Sequence, residues 1–212
     1  MTKCFNTALK TGIVSSKWKD VIISVLHKKG DVHDCNNYRG ISLINHIGKV
    51  LERVIQNRVC KFAEETLCIP ESQCGFRQNR STVDCIFVSR LLAASCREKF
   101  VRCFKCFVDL TKAYDKVDRN TLWLVLERFG IPPKLLAVIK GLHLGAQACV
   151  RLDGVLSEYF NLDRGLKQGS VFSPLLFNLF FSAIMENFHS RLLSAGVEVK
   201  FRIGGNILRC RT

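Results

Sequence analysis

Proline and acidic residues are both scarce in this 212-residue sequence. Only four prolines occur and 48% of the residues are hydrophobic, which excludes disordered, collagen-like and mucin-like classes. The 18 acidic residues are outnumbered by 32 lysines and arginines, so the formal net charge is +14 at pH 7. This excess predicts a polyanionic partner, with nucleic acid first and an anionic membrane surface second. A basic surface that is merely solvated is the alternative interpretation.

Long apolar runs and a secretion signal are also lacking. The longest uncharged stretch, residues 168–185, includes Gln, Asn, Gly, Pro and Ser, and its densely apolar part falls short of the roughly 20 residues that a membrane span requires. The eleven cysteines are odd in number and scattered, and residues 1–16 contain no apolar segment with a cleavage site. We therefore expect an intracellular protein, cytoplasmic or nuclear and not secreted, with free thiols and neither a disulfide nor a membrane partner. Cys103 and Cys106 form a single Cys-x-x-Cys pair without a second pair at zinc spacing, which disfavours a metal site there.

Hydrophobic periodicity predicts a helix-rich α+β fold. Short apolar or β-branched runs predict strands at residues 21–26, 38–43, 101–110, 147–152, 157–162 and 197–203. Apolar residues at helical spacing from Ile47 to Phe62 predict a helix, with Glu52 among the residues facing away from the apolar stripe. Further helices are expected from the capping pattern Ser81-x-x-Asp84 to about residue 99, over about 120–129, and over about 173–193.

The segment FVDLTKAYD, residues 107–115, contains the most informative pattern of residues. If residues 103–109 form a strand, Asp109 places a carboxylate at the end of an otherwise apolar strand. Such a carboxylate must be solvated, paired or bound to a metal, because burial of an isolated charge is costly. It could simply cap the following turn, or it could hold Mg²⁺ together with substrate phosphates.

Four segments in order resemble motifs of reverse transcriptases, in particular those of non-LTR (LINE-type) retrotransposons. They are NYRGISL at 37–43, QCGFR with RST at 73–77 and 80–82, FVDLTKAYD at 107–115 and GLKQGSVFSPLLF at 165–177. Gly40 stands where the family usually has proline. The resemblance extends from about Trp18 to about Asn187 and so covers most of the chain.

The resemblance implies a partial right-hand polymerase within a single incomplete reverse transcriptase domain over residues 1–212. Residues 18–100 would be fingers-like and residues 101–212 would form part of a palm. The implied activity is RNA-directed DNA polymerase, a nucleotidyl transfer from dNTPs with an RNA template, a DNA primer and two Mg²⁺ ions. The oligomeric state is left open by the sequence.

The same resemblance implies roles for individual residues. Asp109 would be catalytic, as a ligand of Mg²⁺. Four residues would bind the nucleotide. Arg39 would contact the triphosphate, and Tyr114 would be the steric gate that excludes a ribose 2′-OH. Gln168 and Gly169 would line the nucleotide pocket. The basic residues expected to contact nucleic acid are Lys28, Lys29, Arg77 and Arg80. Structural alternatives are a core position for the tyrosine and a solvated surface for the basic side chains.

The sequence also departs from the family pattern. Reverse transcriptases have a later motif, commonly YADD, whose aspartates complete the metal site, and this sequence contains no Asp-Asp pair. Residues 197–205 resemble the stretch before that motif, so we expect a truncated or decayed fragment, without thumb or endonuclease and badly impaired in catalysis. The alternatives are a non-catalytic nucleic-acid-binding remnant and a protein similar to group II intron maturases, which the LINE-like motifs disfavour.

Overall fold

The structure, a computed structural model, describes residues 2–195, 200–203 and 206–209. The chain divides into two compact units. The first unit contains Met1–Thr66 and Lys112–Phe177, and the second contains Leu67–Thr111 and Asn178–Thr212.

Helices and short strands are interleaved along the described residues. The helices are α1 (Thr2–Thr11), α2 (Ser16–Lys19), α3 (His46–Glu65), α4 (Thr82–Glu98), α5 (Arg119–Arg128), α6 (Pro133–His143) and α7 (Ser173–Ser194). The strands are β1 (Val21–His27), β2 (Tyr38–Ile44), β3 (Gln147–Leu152), β4 (Val155–Leu156), β5 (Phe160–Asn161), β6 (Lys200–Ile203) and β7 (Asn206–Arg209). The predicted mixed, helix-rich fold is confirmed at this level.

A five-stranded mixed sheet organises the first unit. The strand order is β2-β1-β3-β4, and β5 also pairs with β3. Strand β1 is antiparallel to β2, with Val21 opposite Ile44, and parallel to β3, with Val21 opposite Ala148. These three residues form a buried cluster on one face of the sheet, and Ile23 and Leu162 pack against it.

Amphipathic helices supply much of the rest of the first unit's core. The fully buried side chains recur at helical spacing, with Leu51, Ile55 and Val59 on α3, Leu122 and Leu126 on α5, and Ile139 and Leu142 on α6. Burial of each such side chain contributes about 1.5–3 kcal/mol relative to exposure. Helices α1 and α6 approach so closely that a Cβ on Gly141 would lie 2.2 Å from the carbonyl oxygen of Gly12.

The second unit buries much less apolar surface within its described part. Helix α4 begins with a full capping box between Ser81 and Asp84, as predicted, but none of its side chains is buried. The Asn178 side chain of α7 donates to the carbonyl of Gly75 at 2.8 Å and accepts from Gln73 at 3.2 Å. Strands β6 and β7 form a separate antiparallel pair.

Most of the predicted elements agree with the structure. The strands at 21–26, 38–43 and 147–152 and the four predicted helices are confirmed as β1, β2, β3, α3, α4, α5 and α7. Helices α1, α2 and α6 were not predicted. The expected strand at 157–162 contains only the short β5, whereas β4 precedes it. Of the expected strand at 197–203, residues 200–203 form β6 and residues 197–199 lie outside the described residues.

The predicted strand at 101–110 is wrong. These residues have no regular secondary structure, and Phe104 and Phe107 are about 90% exposed, at 88% and 92%. A strand requires a neighbour to satisfy its main-chain N–H and C=O groups, and none of the described strands pairs with this segment. Strand propensity alone therefore does not produce a strand here.

A buried histidine lies at the end of α6. The His143 ring is 4% exposed, its Nδ1 lies 2.9 Å from the carbonyl oxygen of Ile139, and it contacts the Trp123 ring edge-on. Burial, together with the nearby positive charge of Lys167, lowers the pKa of His143 to about 3 from an ordinary value of 6.5. The imidazole is therefore neutral inside the folded protein.

We predict that His143 makes the fold sensitive to acid. Between pH 6.5 and pH 3 the unfolded chain takes up a proton on this residue and the folded chain does not, so stability falls as the pH is lowered through that window. By pH 5 the loss attributable to His143 amounts to about 2 kcal/mol. Urea unfolding at pH 7.5 and pH 5 measures it: the loss is expected to shrink in His143→Gln and to persist in the exposed control His33→Gln. An equal loss in wild type and His143→Gln would contradict the assignment.

Candidate functional site

In residues 162–173, the segment that leads from β5 to the first residue of α7, Gly165 packs against main chain. Gly165 has a φ of +74°, and a Cβ on it would lie 2.9 Å from both the Cα and the carbonyl oxygen of Asp115. The Gly165 N–H donates to the carbonyl of Val117 at 3.1 Å, and the Leu166 N–H donates to the carbonyl of Tyr114 at 2.9 Å. Only glycine combines this φ with so close an approach.

A buried arginine fixes the start of the same segment. The Arg119 guanidinium donates to the carbonyls of Gly165 at 2.9 Å, His143 at 3.0 Å and Arg164 at 3.3 Å, and also to that of Leu162. Burial lowers the pKa of Arg119 from its ordinary value, yet a guanidinium stays protonated. Its four carbonyl acceptors offset the cost of removing the charge from water.

A buried lysine fixes the segment's centre. Lys167 is 4% exposed, and its ammonium group donates to the carbonyls of Lys19 at 2.6 Å and Leu142 at 2.9 Å. Burial lowers the pKa of Lys167 to about 8, and attraction to Glu52 opposes this shift. The side chain thus ties the segment to the residues before β1 and to α6.

The next two residues lie directly against β2. The Ser42 N–H donates to the carbonyl of Gln168 at 2.6 Å. Gly169 has a φ of +118°, and a Cβ there would lie 2.5 Å from the carbonyl oxygen of Ser42. Glycine is therefore required at 169, whereas the Gln168 side chain is half-buried and Gly169 itself is exposed.

The end of the segment is held by a carboxylate of α3. Ser170 Oγ–H donates to Glu52 Oε2 at 2.8 Å, and the Val171 N–H donates to the same oxygen at 3.2 Å. Ser170 Oγ in turn accepts from the N–H groups of Phe172 at 3.1 Å and Ser173 at 3.2 Å, at the start of α7. Burial raises the pKa of the Glu52 carboxyl, and the hydrogen bond from Ser170 lowers it.

Tyr114 is half-buried beside the first turns of α7. Its ring lies 5.2 Å from that of Phe177, at an interplanar angle of 31°. Partial burial raises the pKa of Tyr114 above its ordinary value, so the phenol is neutral at physiological pH. The carbonyl of Tyr114 is the acceptor for Leu166 described above, which links the tyrosine to the segment that carries Gln168 and Gly169.

The end of the β1–β2 hairpin carries three of the predicted basic residues. Arg39 is exposed on β2, opposite Leu26 of β1. Lys28 and Lys29 follow β1 in the exposed turn, where the Lys28 N–H donates to the carbonyl of Asn37 at 2.8 Å. In this way the first unit contains all four predicted nucleotide-binding residues and both lysines.

The remaining predicted residues belong to the second unit. Asp109 is exposed in the irregular stretch 101–110. Arg77 is buried and donates to the carbonyl of Pro70 at 3.0 Å and to Glu71 at 3.4 Å, and Arg80 forms an ion pair with the same glutamate. Arg80 also lines a groove of about 690 Å³ together with Phe104 and other residues of α4 and its flanking segments. The guanidinium of Arg77 therefore supports its own loop, and its predicted contact with nucleic acid stays a prediction.

The residues that could hold metal do not form a complete cluster. Across the residues the structure describes, no group of three or more His, Cys, Asp or Glu side chains is arranged to hold an ion. Asp109 thus offers one carboxylate, and the donor set around it does not by itself fit a two-metal centre.

The sequence analysis did not predict several of the residues that hold this segment in place. The prediction that Glu52 faces away from the apolar stripe of α3 is wrong, since it is 3% exposed. Gly48, Ile55 and Val59 share its stripe at helical spacing, a signal that its acidic side chain obscured. Arg119, Lys167 and Ser170 carry no local signal, because their partners are distant in sequence.

Comparison with known proteins supports the resemblance found in the motifs. Residues 26–203 match the family described as reverse transcriptase (RNA-dependent DNA polymerase). None of the helices in the described ranges has both the length and the apolar character that crossing a membrane requires.

Curated relatives come from mobile elements. The chain is 32% identical over 179 residues to the RNA-directed DNA polymerase from mobile element jockey of Drosophila melanogaster, covering 84% of this chain and 19% of that protein. It is 32% identical over 183 residues to the probable RNA-directed DNA polymerase from transposon X-element of the same species, covering 85% and 20%. It is 25% identical over 171 residues to the Pol polyprotein from the R2 retrotransposable element of Popillia japonica, covering 80% and 24%. The chain spans about a fifth of the length of these relatives, and it belongs to the reverse transcriptase family of non-LTR retrotransposons.

Proposed function

We propose that this chain selects and binds the incoming dNTP in a retroelement polymerase that copies RNA into DNA. The observation that carries the proposal is the anchored segment 162–173. It holds Gln168 and Gly169 against β2, the strand of Arg39, and it is hydrogen-bonded to the main chain of Tyr114. These are the four residues to which the family resemblance assigns nucleotide contacts.

Each of the four residues has a chemistry that suits a nucleotide. The exposed Arg39 guanidinium can form paired hydrogen bonds with phosphate oxygens. Gly169 has no side chain, so its main chain can approach a substrate closely. The Tyr114 ring, supported by Phe177, is bulky enough to crowd a ribose 2′-OH. The Gln168 amide offers both a donor and an acceptor.

Asp109 is proposed as a ligand of the catalytic Mg²⁺. When bound, such ions neutralise and orient the substrate phosphates in phosphoryl transfer. The exposed carboxylate of Asp109 is available for this role, but a two-metal site requires more carboxylates than this one. Binding of nucleotide and nucleic acid without DNA synthesis is accordingly the second candidate function, favoured by the single carboxylate.

Template and primer are proposed to bind through phosphate neutralisation. The net charge of +14 supplies a long-range attraction to RNA and to RNA–DNA hybrid. Lys28 and Lys29 lie exposed in the turn at the end of the β1–β2 hairpin, where they can contact successive phosphates. Arg80 adds a cation in the second unit.

Primer extension on an RNA template with Mg²⁺ tests the catalytic part. We expect the 212-residue chain to be at least about 100-fold slower than a version extended by a YADD segment, because an incomplete ion site forfeits several kcal/mol of transition-state stabilisation. Asp109→Ala should abolish synthesis by the extended protein, and Glu98→Ala, an exposed carboxylate in the same unit, should not. Fast extension by the chain itself that is lost in Asp109→Ala would disprove the incomplete site. Unchanged synthesis by extended Asp109→Ala would disprove the metal role.

RNA binding at several salt concentrations tests the electrostatic part. The logarithm of the association constant should fall linearly with the logarithm of salt concentration, as counterions are released. Lys28→Ala/Lys29→Ala should make the slope shallower by about 1.4, at roughly 0.7 for each lost contact with single-stranded nucleic acid. Lys61→Ala/Lys134→Ala, which removes two exposed lysines elsewhere in the first unit, is the matched control. An association constant that does not change with salt concentration would mean that the positive charge only solubilises the protein.

A further inference from the structure

Glu52 is a buried carboxylate that accepts two hydrogen bonds from a loop distant in sequence. It lies on α3 with 3% exposure, and its Oε2 accepts from Ser170 and Val171, which are 118 and 119 residues away in sequence. An ionised carboxylate removed from water is costly unless such partners satisfy it. The helix and the loop therefore stabilise each other through this one side chain.

The Ser170 hydroxyl links the Glu52 carboxylate to the start of α7 by hydrogen bonds. A hydroxyl has one proton to donate, and here it is directed to Glu52. The oxygen's lone pairs then face the N–H groups of Phe172 and Ser173, which both donate to it. Without the carboxylate, the hydroxyl is free to rotate and this arrangement is no longer determined.

Gln168 and Gly169 lie between two fixed points. On the amino-terminal side, Lys167 is anchored by its two carbonyl acceptors and the Gln168 carbonyl accepts from Ser42. On the carboxy-terminal side, Ser170 is held by Glu52. Since Gly169 is conformationally permissive, loss of the second fixed point would let the main chain at 168–169 sample other conformations.

We propose that Glu52 is a positioning residue for nucleotide binding, which holds the main chain of Gln168 and Gly169 through Ser170 and Val171. This inference rests on the proposed function. It differs from a general contribution to stability, because it predicts a loss of nucleotide affinity in a protein that is still folded.

The test combines hydrogen exchange with nucleotide binding in the full chain. Glu52→Leu removes both hydrogen bonds, so amide exchange of residues 169–173 should accelerate at least tenfold and the Kd for dATP with Mg²⁺ should rise at least tenfold. Glu52→Gln keeps a carbonyl oxygen that can accept both bonds, and its Kd should stay within about threefold of wild type. Ser170→Ala should weaken binding, and adding it to Glu52→Leu should cause little further loss, since both act in one chain of contacts.

Two controls separate positioning from destabilisation. Ile55→Val loosens the same helix at a fully buried position without removing a hydrogen bond to the loop, and Glu65→Gln removes an exposed charge from α3. Both substitutions should leave the Kd for dATP unchanged when it is measured well below the Tm of each variant. If Glu52→Leu fails to fold, Ser170→Ala and Glu52→Gln decide the question.

The outcomes are distinguishable. The positioning role would be overturned if loss of Glu52 or Ser170 changed neither the amide exchange of residues 169–173 nor the Kd for dATP. A wild-type chain that binds no dNTP would overturn the proposed function, and loop exchange in the variants would still decide whether Glu52 holds the loop. Faster exchange with an unchanged Kd would mean that Glu52 orders the loop without positioning the nucleotide, which also overturns the proposal.

Discussion

The need of buried charged groups for hydrogen-bond partners is the constraint on which the first unit depends. Arg119, Lys167 and Glu52 are each 6% exposed or less, and each is paired with main-chain or hydroxyl groups. Leaving a donor or acceptor of such a group without a partner costs about 1–3 kcal/mol, and more where the group is charged. Two of these groups reach into the 162–173 segment and the third is part of it. The segment therefore cannot change conformation without a large cost, and the fold and the candidate site share the same interactions.

These hydrogen bonds fix the main chain of the 162–173 segment, while Gln168 and Gly169 stay accessible to a ligand. Gly165 and Gly169 allow main chain to lie against main chain, while Gln168 is only half-buried and Gly169 is exposed. A loop that is already ordered binds its ligand without first losing conformational entropy. The second unit differs, because α4 buries no side chain and Asp109 lies in an irregular segment. Preorganisation is thus a property of the residues proposed to bind nucleotide and not of the residue proposed to bind metal.

Local sequence patterns predicted the helices and strands whose formation depends on neighbouring residues. The β-branched run before His27, the periodicity of α3 and the capping box of α4 each predicted an element correctly. Strand propensity failed at residues 101–110, because a strand depends on a partner. Helix α6 begins at Pro133, because proline is tolerated in the first turn of a helix, where its missing N–H is not needed. The motifs predict Gln168 and Gly169 as site residues, whereas the hydrogen bond from Ser170 to Glu52 is a contact that no local pattern reveals.

The proposed function requires that the first unit carries the nucleotide-binding residues. Photo-crosslinking with an azido-dATP, followed by peptide mapping, shows which residues lie beside the bound nucleotide. Adducts are expected on peptides that contain Arg39, Tyr114 or the Gln168–Gly169 pair, and unlabelled dATP should suppress them. Adducts confined to residues 67–111, or labelling that unlabelled dATP does not suppress, would contradict it.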